Sequence, residues 1–244
     1  MTTRTVIITG AAKGIGKAIA EKFILEDYIT ILVDVDDEAG EALAHALGSN
    51  GHYVSCDISD PTAVQGLFST VIERFQKIDV LVNNAGIIRD NVIWKMPEED
   101  FDKVIDINLK GTWLMCQQAA IHMREHKRGR IVNIASRAWL GNRGQSNYSA
   151  SKAGVIGMTR VLALELGKYG VLVNAVAPGL IDTPLTQKLP DDVQEKLIMA
   201  QPTRSMGQPE DIANTVSFLS DPNTQFITGQ TIYVDGGKSI GAGI

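Results

Sequence analysis

The sequence predicts an α/β protein built on a doubly wound, seven-stranded parallel sheet with helices on both faces. Three observations carry this expectation. Short apolar runs alternate with longer amphipathic stretches along nearly the whole chain. The runs are rich in β-branched residues and lack polar alternation, which suits strands covered on both sides. A glycine-rich turn follows the first run and leads straight into a helical pattern.

Taken in order, strands are expected at Val6–Thr9, Ile29–Val33, His52–Ser55, Val80–Val82, Ile131–Ala135, Val171–Val176 and Thr231–Val234. Helical patterns lie between them at about 14–26, 36–47, 61–76, 98–125, 149–168 and 209–219. Asp60 before Pro61 is a helix start, and so is Pro97 followed by three acids. The stretch from Gly179 to Gln208, with prolines at 184, 190 and 202, breaks the alternation just after a strand. It reads as a substrate flap over about 180–205 within one catalytic domain spanning 1–244, since 244 residues fit one large domain better than two.

Bulk properties exclude several function classes. A formal charge of −5 argues against nucleic acid, which rewards basic surfaces. No window approaches the roughly 18 consecutive apolar residues of a membrane span, and a strand-like run begins at Thr5, too early for a signal peptide. Cys56 and Cys116 are the two thiols, better read as buried and free than as a disulfide or metal site. Together these point to a cytoplasmic protein with a small-molecule substrate, no nucleic-acid or membrane partner and no metal.

The first strand ends in Thr9-Gly10-Ala11-Ala12-Lys13-Gly14-Ile15-Gly16. Glycines let the backbone approach a pyrophosphate, and the following helix start offers free N–H groups and the positive end of its dipole. The spacing is G-x-x-x-G-x-G rather than G-x-G-x-x-G. Eighteen residues beyond Gly16 the second strand ends at Asp34, where a carboxylate accepts from ribose hydroxyls and repels a 2′-phosphate. Asp36 and Asp37 add negative charge, while Lys13 favours that phosphate. Three acids against one base select NAD over NADP.

Tyr148 and Lys152 stand four residues apart, one turn along a helix face. Ser136 follows the fifth expected strand, at the carboxyl edge where ligands bind in parallel sheets. A phenol with a free pKa near 10 is a poor base at neutral pH, and an adjacent ammonium together with an oxidised nicotinamide would favour its phenolate.

With these motifs in place, the chain resembles the short-chain dehydrogenase/reductase family in its compact, single-domain, Rossmann-like branch. The matching pieces are the Thr9–Gly16 loop, Asp57-Ile58, Asn83-Asn84-Ala85-Gly86, Asn108, Ser136, Tyr148, Lys152 and Pro178-Gly179. The resemblance implies that Tyr148 is the proton donor or acceptor and that Ser136 orients the substrate oxygen. It implies that Lys152 holds the cofactor ribose and lowers the Tyr148 pKa, and that Asn108 anchors a relay water. Cofactor contacts are implied for Gly10, Lys13, Gly14, Ile15, Gly16, Asp34, Asp57, Ile58, Asn84, Ala85, Gly86, Tyr148, Lys152, Pro178, Gly179, Ile181 and Thr183, with Asn83 structural. The expected activity is hydride transfer between NAD and a secondary alcohol or ketone of hydroxyacyl, cyclic or aryl type. The alternative is an NADPH-dependent 3-oxoacyl reductase, which the Asn84–Asn91 and Gly144–Tyr148 segments resemble.

The family's usual serine-to-tyrosine spacing is one residue longer than the twelve found here. Counted literally it lands on Ala135, which has no hydroxyl, so strand register favours Ser136 with a one-residue deletion in the loop. Arg137, Trp139, Leu140 and Arg143 beside that loop are open as substrate contacts. His122 and His126 are expected at the surface, and Trp94 and Met96 in the core or at a pocket rim. A sugar-nucleotide epimerase or dehydratase would need a longer C-terminal region, and a nucleotide-sensing regulator would tend to lose the tyrosine or lysine. A homotetramer is expected, paired through the helices at 97–125 and 149–168, whose apolar residues spread too widely for one sheet face.

Overall fold

The computed structural model describes residues 3–184 and 186–240. Its strands are β1 (Thr5–Thr9), β2 (Ile29–Asp34), β3 (Gly51–Ser55), β4 (Val80–Asn83), β5 (Gly129–Ile134), β6 (Val171–Pro178) and β7 (Thr231–Val234). All pair in parallel, in the order β3-β2-β1-β4-β5-β6-β7. The helices are α1 (Gly14–Leu25), α2 (Asp37–Leu47), α3 (Pro61–Phe75), α4 (Glu98–Ile105), α5 (Thr112–Glu125), α6 (Ser146–Leu166), α7 (Asp191–Met199) and α8 (Pro209–Ser220).

Alternate residues of each strand feed two cores, as the period of a pleated strand requires. Ile7, Ile31, Leu81 and Ile131 face α3 and α5 through Leu67, Phe68, Met115 and Met123. Ile8, Leu32, Val82 and Val132 face α1 and α8 through Ile19, Phe23, Ile212 and Val216. Side chains of this size contribute roughly 1.5–3 kcal/mol each when fully buried. A polar chain crosses the first core. The Asn83 amide donates to Asn133 at 2.9 Å, and Asn133 donates to Thr159 on α6 at 2.9 Å. Asn83 is thereby tied into the sheet, as the resemblance implied.

The strand order reverses between β1 and β4, which opens a crevice at their carboxyl ends. The chain closes tightly there. A Cβ added to Gly10 would lie 2.8 Å from the Ala85 Cα, so the loops after β1 and β4 touch through their backbones.

Several expectations need correction. The helix read over 98–125 contains a π-helical segment, Asp106–Gly111, between α4 and α5. The irregular stretch after β6 holds a nine-residue helix, α7, whose proline-bounded sequence hid it; none of its residues is fully buried. Leu185, inside that stretch, lies outside the described residues, as do 1–2 and 241–244. His122 is buried rather than surface-exposed, because its Nε2 accepts the Ile78 backbone N–H at 3.1 Å. Trp94 is 74% exposed, which excludes the core and leaves only the pocket rim of its two expected places. No helix among the described residues is long and apolar enough to cross a membrane.

Candidate active site

The site grows from the loop after β1. Gly10 (φ +62°) and Gly14 (φ +54°) take left-handed backbone conformations that suit glycine. Gly16 is closed to larger residues, since a Cβ there would collide with the Gly10 carbonyl and the Asn84 amide. Helix α1 begins after Lys13 with no side-chain cap, so the N–H groups of its first turn stay available to an anion. Thr9 fixes the geometry from below, its hydroxyl accepting from the N–H groups of Asn84 and Ala85, both at 3.0 Å. The Asn84 side chain donates to the Thr9 and Gly10 carbonyls and so braces the loop. A pyrophosphate-bearing cofactor fits this uncapped cradle.

Asp34 closes the loop's outer side. Its carboxylate accepts from Ala12 N at 3.0 Å and Val35 N at 2.8 Å. Lys13 is paired with Asp36, which holds the lysine above its ordinary pKa and the carboxylate below its own, chiefly through their hydrogen bond. The cation expected to pull toward a 2′-phosphate is therefore engaged by an acid. Asp57 is exposed and accepts from Ser59. Ile58 is buried in the core and packs closely against Gly111.

On the other side of the crevice, the π-helical segment carries Asn108, which is fully buried. Segments of this kind often sit at functional sites because they re-aim a side chain within a helix. The Asn108 Oδ1 accepts from Ile87 N at 2.8 Å, and its Nδ2 donates to the Ile87 carbonyl at 2.9 Å and to Ser151 Oγ at 3.3 Å. Gly86 passes close by: a Cβ there would lie 3.3 Å from Asn108 Oδ1 and 3.5 Å from Lys152 Nζ.

Helix α6 carries Tyr148 and Lys152. The Lys152 ammonium donates to the Ile134 carbonyl at the end of β5, at 2.8 Å, and burial lowers its pKa to about 8. Tyr148 has the lysine 5.7 Å from its ring centre. Burial pushes the phenol above its ordinary pKa, the Ser136 hydroxyl beside it pulls the other way, and the Asp90 charge adds to the rise. Burial thus outweighs the lowering expected from Lys152. Ser136 lies two residues beyond the end of β5, and its hydroxyl accepts from Ala138 N. Its place beside the phenol favours it over Ala135, whose side chain is packed in a small core with Val155 and Ala177.

At the end of β6, a Cβ on Gly179 would clash with Asp235, so Pro178-Gly179 is held against the loop after β7. Ile181 is buried and bridges to Gly207. Thr183 lies against Gly14, which brings the start of the flap onto the phosphate loop. Arg137 is half-buried with an unpartnered Nε among the described residues, Arg143 is exposed, and Trp139 donates to the Tyr233 hydroxyl. Asn147 was not anticipated. Its side chain donates to the Arg89 carbonyl at 2.8 Å and accepts from Tyr148 N at 2.7 Å, anchoring the tyrosine's turn of helix. Gln145 likewise holds Asp90. Neither residue type carries a signal without its partners.

Comparison with known proteins agrees with this geometry. Residues 10–239 match a family model described as enoyl-(acyl carrier protein) reductase. The chain is 49% identical over 243 residues to the (2S)-[(R)-hydroxy(phenyl)methyl]succinyl-CoA dehydrogenase subunit BbsD of Thauera aromatica, covering 98% of both. It is 41% identical over 240 residues to the 3-oxoacyl-[acyl-carrier-protein] reductase FabG of Staphylococcus aureus, covering 96% of this chain and 98% of that one. The solved structure of levodione reductase superposes with a TM-score of 0.94 at 35% identity, over 99% of this chain and 100% of that one. The chain belongs to the short-chain dehydrogenase/reductase family, as an oxidoreductase of hydroxyl or keto groups that uses a nicotinamide cofactor.

Proposed function

We propose that this protein is an NAD-dependent dehydrogenase of a secondary alcohol carried on an acyl thioester, working reversibly through Tyr148. The observation that carries the reading is the buried Lys152 and the Ser136 hydroxyl meeting Tyr148 at one crevice. The relative that is 49% identical is named for a hydroxyacyl-CoA substrate, which favours that class over simple alcohols.

Bound nicotinamide would supply the hydride donor or acceptor. Tyr148 gives its proton to the carbonyl oxygen during reduction and takes it back from the alcohol during oxidation, while Ser136 holds that oxygen. Lys152 binds the ribose hydroxyls and, beside an oxidised nicotinamide, favours the phenolate. Asn108 anchors the water that links Lys152 to solvent. The remaining cofactor contacts are those of the phosphate loop, Asp34, Asp57, Ile58, Asn84 to Gly86, Pro178, Gly179, Ile181 and Thr183. We read residues 1–244 as one catalytic domain with its flap at about 180–205.

Asp34 and the engaged Lys13 support NAD. The competing reading, an NADPH-linked 3-oxoacyl reductase, is favoured by the 41% identical relative of that name. Steady-state rates with 3-hydroxyacyl- and 3-oxoacyl-CoA and both cofactors separate the two. We expect NAD to be preferred, and Asp34→Ser to lower its efficiency by roughly 10–100-fold, the loss of a charge-assisted hydrogen bond. A wild-type preference for NADP would overturn the cofactor assignment. We assign a cytoplasmic homotetramer, supported by Trp113 and Ile121 on α5 and Val161 and Leu164 on α6, all exposed. A single sedimenting species at monomer mass with full activity would refute it.

A further inference from the structure

At the amino ends of the strands, on the edge opposite the crevice, lies a second cleft of about 450 Å³. Volumes of roughly 300–1,000 Å³ are typical of small-molecule sites. Its wall brings together residues just before β1, β4 and β5, the turn between α6 and β6, and the loop after α8. Three arginines meet there, Arg4, Arg128 and Arg130, against one carboxylate, Asp79.

Asp79 does not neutralise this group. One of its oxygens accepts from Arg128 at 2.6 Å and the other from Thr5 N at 3.0 Å, with Lys77 3.7 Å away. Arg4 and Arg130 have no carboxylate within 4.0 Å among the described residues. Arg4 donates to the Tyr28 hydroxyl, and Arg130 donates to the carbonyls of Gly129, Pro222 and Thr224. Arg130 is pushed below its ordinary pKa by burial and then by the charges of Arg128 and Arg4, with Tyr28 and Asp221 acting in the opposite direction. Ser220, in the same wall, is 3% exposed, and its hydroxyl has no hydrogen-bond partner among the described residues. The buried Arg130 Nε is also unpartnered. A buried polar atom without a partner is costly, and a ligand that supplies one would relieve it.

We infer that this cleft binds a small phosphate-class polyanion, held by Arg4, Arg128 and Arg130 with Ser220 as a further donor. Guanidinium forks match phosphate oxygens two at a time, and crowded cations favour a multivalent anion over a single carboxylate. The site is separate from the phosphate loop, which lies at the carboxyl edge, and it does not depend on the proposed substrate.

The test uses the whole enzyme with saturating NADH, so that the phosphate loop is filled. Thermal unfolding is followed against inorganic phosphate, pyrophosphate and citrate, with chloride holding ionic strength constant. We expect a saturable rise in Tm, larger for pyrophosphate than for phosphate, because a ligand that binds the folded state stabilises it. Arg4→Gln, which leaves the Asp79–Arg128 pair intact, should weaken pyrophosphate at least tenfold. Ser220→Ala should weaken it several-fold, and both variants should keep NADH binding and turnover. No saturable rise, or a rise unchanged in both variants, would overturn the site. Citrate matching pyrophosphate would overturn the phosphate assignment.

Discussion

The two walls of the crevice are built to different standards. On the β1–β4–β5 side, each functional group is held by others: Asn84 by the phosphate loop's carbonyls, Asn108 by Ile87 and Ser151, Lys152 by Ile134, and Tyr148's turn by Asn147. On the β6 side, the chain is fixed at its two ends, where Leu180 and Asp182 bond Gly207, and then runs through α7, which buries no residue completely. One wall is assembled before any ligand arrives. We propose that the other is ordered by it, as a cover that excludes water during hydride transfer.

The largest expected effect tests the assembled wall. Tyr148→Phe removes the transferable proton and leaves the phosphate loop and Lys152 in place, so turnover should fall by roughly 10²–10⁴-fold with near-normal NADH binding. Turnover within a few-fold of wild type would break the comparison at its centre.

Next comes a matched pair of substitutions. Gly16→Ala forces a methyl into the Gly10 carbonyl and the Asn84 amide, so NADH affinity should drop by at least tenfold, whereas Leu197→Ala on α7 should shift stability by only about 0.5 kcal/mol, as exposed sites usually do. Fluorescence titration and denaturant unfolding read the two. Equal effects would show that the walls are equally rigid.

A pH experiment sharpens the picture of Lys152. Its folded pKa of about 8 lies below the ordinary 10.5, so between those values the unfolded chain holds more protons and stability rises with pH. Below about pH 8 the cost of the buried charge is fully present. Stability of cofactor-free wild type relative to Lys152→Met should therefore improve by up to about 3 kcal/mol from pH 8 to 10.5. A flat difference would mean that the ammonium is not paying for its burial.

The smallest effect is on dynamics. Amide exchange in 191–199 should be fast in the free enzyme and slow several-fold with NADH, while β4 and β5 stay protected throughout. Slow exchange in α7 under both conditions would erase the distinction between the walls.

The same division explains what was legible in the sequence. The sheet was readable because strands buried on both faces must be apolar runs, Gly10 and Gly16 because a backbone approached this closely admits little else, and Gly14 because its left-handed φ suits glycine. Tyr148 and Lys152 stood out through their spacing. The π-helical segment left no trace, since Asp106–Gly111 reads like any helix interior, and α7 was concealed by flanking prolines and a face that buries little. His122 was misplaced because its Nε2 accepts from a backbone N–H distant in the sequence, and Trp94 falls outside the core because little covers it. Pairings such as Lys13 with Asp36 needed the fold before they could be weighed.

The π-helical segment also acts as a phase adjuster. It winds one residue more into its turn than an α-helix does, so the faces of α4 and α5 are offset around the helix. Deleting a single residue within 106–111 would restore uniform winding and rotate everything beyond it by about 100° relative to α4. Met115, Ala119 and Met123 would then swing out of the core together with the loss of Asn108's aim. Helix content would barely change, yet the two functions of that helix, filling the core and presenting an amide to the crevice, would no longer be in register.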